Sequence, residues 1–245
     1  MLEAAPWLAG IDGCRAGWVA AFVRPDGDDV HIRIVPRFAD VLGAPEAPTI
    51  VAVDIPIGLP DHIGPEGRGP ERAIRSLLGS RQSSVFSVPP RAAIYASDFG
   101  SACAAALVAS NPPRKLSKQL FMIAPKIKEV DAVLREDQDS IRRVYEVHPE
   151  LAFWRLNGER PLSEPKKVKG TCYAPGLALR RGLLIKAGLP AAVVEAVTPK
   201  GAGADDLLDA LACAAVARRI HTGDARPFPN PPGRDPFGLP IAIWA

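Results

Sequence analysis

The sequence predicts an α/β domain built on a five-stranded mixed sheet of strand order 3-2-1-4-5, flanked by helices. Three observations carry this. The first 36 residues hold three apolar or alternating runs joined by short turns, which read as an antiparallel meander. A short helical stretch then leads to a fourth apolar run, and such a crossover places the new strand parallel to the first. From residue 142 onward, one further strand-like run is followed by segments of helical period.

Each element follows from its residues. "LAGID" (8–12) is an apolar strand closed by a glycine turn, and "WVAAFV" (18–23) is followed by the turn "RPDGDD". "HIRIVP" (31–36) alternates, a short helix is expected around Phe38–Leu42, and "TIVAVD" (49–54) has the continuous apolar character of a strand covered on both faces. The first and fourth strands end in Asp12 and Asp54. Adjacent and parallel, they bring both carboxylates to one sheet edge, where open α/β sheets bind their ligands.

Residues 55–130 break the rhythm. "IPIGLP" leaves Asp54 as a stiff loop, and a helix starts at Pro70 with Glu71 in its first turn. "SVFSVPPRAAIY" leads into an alanine-rich helix that stops before Asn111-Pro112-Pro113. The stretch from about 60 to 130 reads as a helical and loop insertion capping the strand ends. "RRVYEVHP" supplies the fifth strand and "ELAFWRLNG" a short helix. A basic glycine-containing loop, "SEPKKVKGTCYAPG", precedes helices over 177–188 and about 190–197. The last helix is "GADDLLDALACAAVARRIHTG" (203–223). Residues 1–225 form one domain in this reading. The tail, 226–245, with six prolines from Pro227 onward, is expected to lie extended on the surface.

Composition narrows the function classes. With 47% hydrophobic and 23% charged residues in a chain of 245, the protein is an ordinary folded one. No run of eighteen apolar residues suggests a membrane span, and no signal-peptide pattern opens the chain, so a cytoplasmic location is expected. Cys14, Cys103, Cys172 and Cys213 form no CxxC pair, which argues against a zinc knuckle or a disulfide framework. Cys213 reads as a small core residue, while Cys14 follows the Asp12 turn toward the same cleft. A net charge of +3 is compatible with a nucleic-acid partner without requiring one, and the oligomeric state is left open. The basic clusters Arg114/Lys115/Lys118, Lys126/Lys128 and Lys166/Lys167/Lys169 read first as solvated faces.

The acids are the strongest chemical signal. Asp205, Asp206 and Asp209 open the last helix, and Asp209 shares a face with either neighbour. Leu208, Leu211 and Ala215 form its apolar stripe, while Ala210 and Ala212 let its backbone approach the sheet. Asp205 or Asp206 serves equally well as a helix cap. With Asp12 and Asp54, these acids form an oxygen-only cluster that suits Mg²⁺ or Mn²⁺, and two such ions could clamp the oxygens of a phosphodiester during hydrolysis.

Six segments, "GIDGCRAGW", "VAVDIPIGLP", "GSRQSSVFSVPPR", "PKIKEVD", "VYEVHPELAFWRLNG" and "DDLLDALACA", together resemble a bacterial family of predicted ribonuclease-H-like nucleases. More distantly, the acidic set resembles that of Holliday-junction resolvases. The resemblance implies a ribonuclease-H-like sheet, metal-dependent nuclease activity and Glu146 as a further acid. The expected metal ligands are Asp12, Asp54, Glu146, Asp205, Asp206 and Asp209. The expected catalytic residues are Asp12, Asp54, Glu146, His148, Asp206 and Asp209.

His148 orients a water or holds a phosphate in this reading, or bonds the loop before Pro149. Arg81, Ser83, Ser84 and Arg91 either contact phosphate or lock the cap to the core. Lys126 holds a phosphate or pairs with Asp54, and Lys167 borders a glycine loop. Neither GxxxxGK[ST] nor GxGxxG occurs. Two alternatives stand beside the nuclease: a non-catalytic nucleic-acid or protein binding module, and a phosphoryl-transfer enzyme acting on a small phosphorylated ligand.

Overall fold

The computed structural model describes residues 5–27 and 29–245. The chain runs β1 (Leu8–Cys14), β2 (Gly17–Val23), β3 (Val30–Val35), α1 (Phe38–Leu42), β4 (Ile50–Val53), α2 (Gly69–Arg75), α3 (Arg91–Tyr95), α4 (Phe99–Val108) and α5 (Lys118–Glu136). It continues through β5 (Val144–Val147), α6 (Pro149–Leu156), the two-residue strands β6 (Lys167–Val168) and β7 (Thr171–Cys172), and α7 (Ala174–Lys186). It ends with α8 (Ala191–Val194), α9 (Ala204–Thr222), β8 (Pro227–Arg234) and β9 (Pro240–Trp244).

The core sheet has the order β3-β2-β1-β4-β5, the ribonuclease-H-like topology, with α2–α5 inserted between β4 and β5. β1 pairs antiparallel with β2 and parallel with β4, in a register that sets Ile11 beside Val53. Asp12 and Asp54 are the residues that follow Ile11 and Val53. The Asp54 N–H donates to the Ile11 carbonyl at 3.0 Å, so the two aspartates emerge together.

Alternate strand residues enter two separate cores, as the period of two requires. Ile11, Phe22 and Val53 face α1 and α3–α5, while Leu8, Val19 and Ala52 face α6, α7 and α9. α9 lies closest to the sheet. A Cβ at Gly10 would fall 2.0 Å from the Ala214 nitrogen and 2.2 Å from the Ala210 oxygen. Only glycine allows β1 and α9 to touch backbone to backbone. Ahead of α9, the Ala16 N–H donates to the Gly201 carbonyl at 3.3 Å and joins the β1–β2 turn to the start of the helix.

The tail departs from the expected extended surface segment. Residues 227–244 hold β8 and β9, which widen the sheet to seven strands in the order β3-β2-β1-β4-β5-β9-β8. β9 runs parallel to β5 and buries Ala242 and Ile243. Four of the six prolines (Pro227, Pro229, Pro231 and Pro232) fall in β8, an edge strand, where a missing backbone donor costs no ladder bond; Pro236 lies in the turn and Pro240 is the first residue of β9. The Asp235 carboxylate accepts 2.9 Å bonds from the Phe237 and Leu239 N–H groups, which closes the turn between these strands. No helix among the described residues is long and apolar enough to cross a membrane.

Candidate functional site

A cavity of about 610 Å³ opens at the carboxyl ends of β1, β4 and β5. Asp12, Asp54, Glu146 and His148 line its floor, and Lys166, Lys167, Asp205 and Asp206 one wall. The insertion supplies the opposite wall through Ser83, Ser84, Phe86, Val88, Ile123 and Lys126.

Asp12, Asp54 and Asp209 are the centre of a set of acids whose charges bear on one another, which includes Glu150, buried, lining the cavity and paired with Arg180. Burial raises the Asp12 carboxyl well above the ordinary range, and repulsion from Asp54 and Asp209 raises it further. Burial and then repulsion from Asp209 push Asp54 up to about 8, against the attraction of Lys166. Asp209, 2% exposed, is also raised, burial outweighing its pairing with Lys166. One Asp12 oxygen accepts the Gly13 N–H at 2.7 Å. The Asp54 carboxylate has no ion pair or hydrogen bond with another described residue, and Asp209 Oδ1 is buried without a partner among them. These carboxyls cannot all ionise together without a cation.

The structure supplies one such cation. Lys166 Nζ donates to Asp209 Oδ2, and its side chain is 29% exposed. Burial works against this ammonium, but Asp209, Asp12 and Asp54 more than offset it and hold its pKa above the ordinary value. Lys166 belongs to a basic cluster that the sequence presents as a solvated face. Only the fold brings it to an acid 43 residues away.

The other expected ligands are already engaged. Lys167 pairs with Asp205 at 2.5 Å, and the Cys172 thiol donates to the same carboxylate at 3.4 Å. Asp206 accepts the Gly203 N–H at 2.8 Å and so caps α9. Glu146 is held by Arg68 and by the Ile57 N–H at 2.8 Å, and Arg68 also binds Glu71 at 2.6 Å. Burial nevertheless pushes the Glu146 carboxyl up to about 7. Among the described residues, no three His, Cys, Asp or Glu side chains are grouped closely enough to hold a metal ion. The expected six-acid cage is thus corrected. Glu146 and Asp205 do not fit a metal, because protein donors take both oxygens of each, and Asp206 spends one of its two oxygens on capping α9. Asp12 and Asp54 do fit one, as oxygen donors without another cation in direct contact, and Mg²⁺ needs only one or two carboxylates beside waters and substrate.

The expected substrate-binding residues divide similarly. Arg91 lies away from the cavity, buried between Asp131 and Asp235, with the latter at 2.5 Å, and locks the insertion to the β8–β9 turn. Arg81 does not line the cavity and bonds the Ser80 hydroxyl at 3.0 Å. Ser83 and Ser84 do line it, although the Ser84 hydroxyl donates to the Arg81 carbonyl at 2.8 Å. Among the described residues, Lys126 pairs with neither Asp54 nor another acid. Its ammonium donates to the Gly17 carbonyl at 2.5 Å and lies 4.3 Å from the Trp18 ring centroid, beside the cavity. His148 Nε2 lies 3.3 Å from the Ser84 carbonyl, and burial lowers its pKa, so the ring is neutral at pH 7. With Nε2–H donating, Nδ1 is left as a proton acceptor. Arg68, absent from the expected site, is the buried support of Glu146. It sits in a glycine- and proline-rich loop with no helical or strand period to mark it.

Residues 10–234 match a family described as "Protein of unknown function (DUF429)". No curated protein and no solved structure matches the chain. The match corrects the family expected from the sequence motifs: the assignment is to a family without a stated function, and neither to predicted ribonuclease-H-like nucleases nor to Holliday-junction resolvases. The ribonuclease-H-like character belongs to the sheet topology. By a match covering most of its length, the chain belongs to the DUF429 family.

Proposed function

We propose that the protein is a Mg²⁺- or Mn²⁺-dependent hydrolase of phosphodiester bonds in nucleic acid. The observation that carries this reading is the trio of buried Asp12, buried Asp209 and half-buried Asp54 at the end of the sheet, beside a cavity that also holds Lys126, Lys166 and Lys167. Fixed carboxylates under mutual repulsion are poor structural glue. Their use is to receive positive charge.

In this reading Asp12 and Asp54 hold the divalent ion. When bound, that ion supplies a water of lowered pKa and a Lewis acid for the phosphoryl oxygens. Asp209 keeps Lys166 in position. His148, neutral and oriented by the Ser84 carbonyl, holds a proton acceptor beside the cavity. Lys126 and Lys167 add positive charge along the path of a phosphate backbone, which makes binding dependent on salt.

The test is hydrolysis of single-stranded DNA, duplex DNA, branched DNA, RNA and hybrid duplex with Mn²⁺, with Asp12→Asn purified in parallel. Cleavage by the wild type alone is the expected result. Cleavage of none, with no binding at low salt, refutes nucleic acid as substrate. One observation favours a second reading, a small phosphorylated ligand: insertion residues Phe86, Val88 and Ile123 wall the cavity and narrow its approach. Turnover of a mononucleotide diester without turnover of any polymer would select it.

A further inference from the structure

We propose that Lys166 is a catalytic residue, a tethered ammonium that occupies the second-cation position of the acidic trio, so that the working enzyme holds one divalent ion per chain rather than two. The inference deepens the phosphodiesterase reading and rests on it for the identity of the substrate.

Charge gives the first argument. Asp12, Asp54 and Asp209 carry three negative charges when ionised, and Lys166 supplies one positive charge through Asp209. With Glu150 matched by Arg180 and Asp205 by Lys167, the remainder of two on the trio is what a single divalent ion neutralises. A second divalent ion would leave the cluster net positive.

The second argument is how the Lys166 backbone is held. A Cβ at Gly176 would stand 1.8 Å from the Pro165 carbonyl oxygen, so the chain just before Lys166 packs directly onto α7. The Tyr173 N–H donates to the Lys166 carbonyl at 2.9 Å. Arg180, fully buried, donates to the Glu164 carbonyl at 3.1 Å. A solvated lysine needs no such fixing. Backbone contacts on both sides aim this one, and its side chain also lines the cavity.

The neighbouring cations do not fill this role. Lys167 is committed to Asp205, and Lys126 to the Gly17 carbonyl and the Trp18 ring. Lys166 therefore faces the substrate with its ammonium already seated among the acids. From there it can donate to a non-bridging phosphate oxygen, where negative charge grows in the transition state.

The experiment counts bound Mn²⁺ per chain by calorimetry and by electron paramagnetic resonance, in wild type, Lys166→Met and Lys166→Arg. Melting curves accompany each protein. The expected result is one ion in the wild type and in Lys166→Arg. Lys166→Met should take a second ion, or bind the first about 10-fold more tightly, because Asp209 is released to it. Where a phosphodiester is turned over, Lys166→Met should lower kcat about 100-fold with little change in KM. Two ions in the wild type would overturn the inference while leaving metal-dependent hydrolysis intact. So would no ion in the wild type, or identical counts and affinities in all three proteins. One ion in the wild type and a changed count in Lys166→Met, with no diester hydrolysed, would support Lys166 as the second cation and refute the phosphodiesterase reading instead.

Discussion

Replacing Gly10 by alanine tests how the fold builds the site. The added Cβ would stand 2.0 Å from the Ala214 nitrogen and 2.2 Å from the Ala210 oxygen, whereas ordinary contact begins at 3.4 Å. Both are backbone atoms of α9, so no side-chain rotation relieves the overlap. Strand and helix must separate by roughly 1 Å, and overpacking of this kind costs about 3 kcal/mol. For a chain of this size that lowers Tm by about 6–12 °C.

The displacement also reaches the chemistry. Gly10 lies two residues before Asp12, and Ala210 directly follows Asp209. A shift of about 1 Å between catalytic groups costs about 100-fold in rate. Thermal melts, Mn²⁺ titration and turnover should therefore fall together in Gly10→Ala. Gly182→Ala serves as the control: in α7, the added methyl group meets nothing within 4 Å, and the variant should hold or slightly raise Tm. A Gly10→Ala protein that melts within about 2 °C of the wild type and keeps its turnover would refute the close-approach argument.

Two further predictions follow from buried charge. Arg68→Met leaves Glu146 and Glu71 buried without their cation and should cost about 3–5 kcal/mol in urea unfolding; a loss below about 1 kcal/mol would show that the network is not structural. The metal-free protein should also respond to pH in a definite direction. Asp54 titrates in the folded state at about 8 rather than 3.8, so its contribution to stability is full below pH 4 and is lost as pH rises through 8. Asp54→Asn should flatten the fall in Tm over that window by roughly 10–20 °C, and parallel curves for the two proteins would contradict the assignment.

What the sequence made legible was whatever depends on local pattern. "LAGID" and "TIVAVD" showed both the parallel pair and the aspartates at its end, because a strand's period and its terminus are written in adjacent residues. Asp209 was legible because it lies beside an apolar stripe. Lys166 was not, since a lysine in a polar loop looks the same whether it meets water or an acid 43 residues away. Arg91 misled for a chemical reason: a guanidinium that suits phosphate suits the two carboxylates of Asp131 and Asp235 equally well. The β8 prolines hid an edge strand, because proline forbids only the ladder bonds that an edge does not make. Glu146 combined both difficulties, since its strand-end position was visible and its partner Arg68 was not.

The central claim is that the acidic trio serves chemistry rather than folding, and Asp54→Asn addresses it most directly. Asp54 has no hydrogen-bonding partner among the described residues, and its carboxyl is pushed up to about 8 by burial and by Asp209. Turnover of a phosphodiester with Mn²⁺ and Tm without metal should be measured on the same preparations of wild type and variant. Turnover should fall about a hundred- to a thousandfold while Tm at pH 8 stays level or rises. Unchanged turnover, or a variant that unfolds more readily than the wild type at that pH, would contradict the claim.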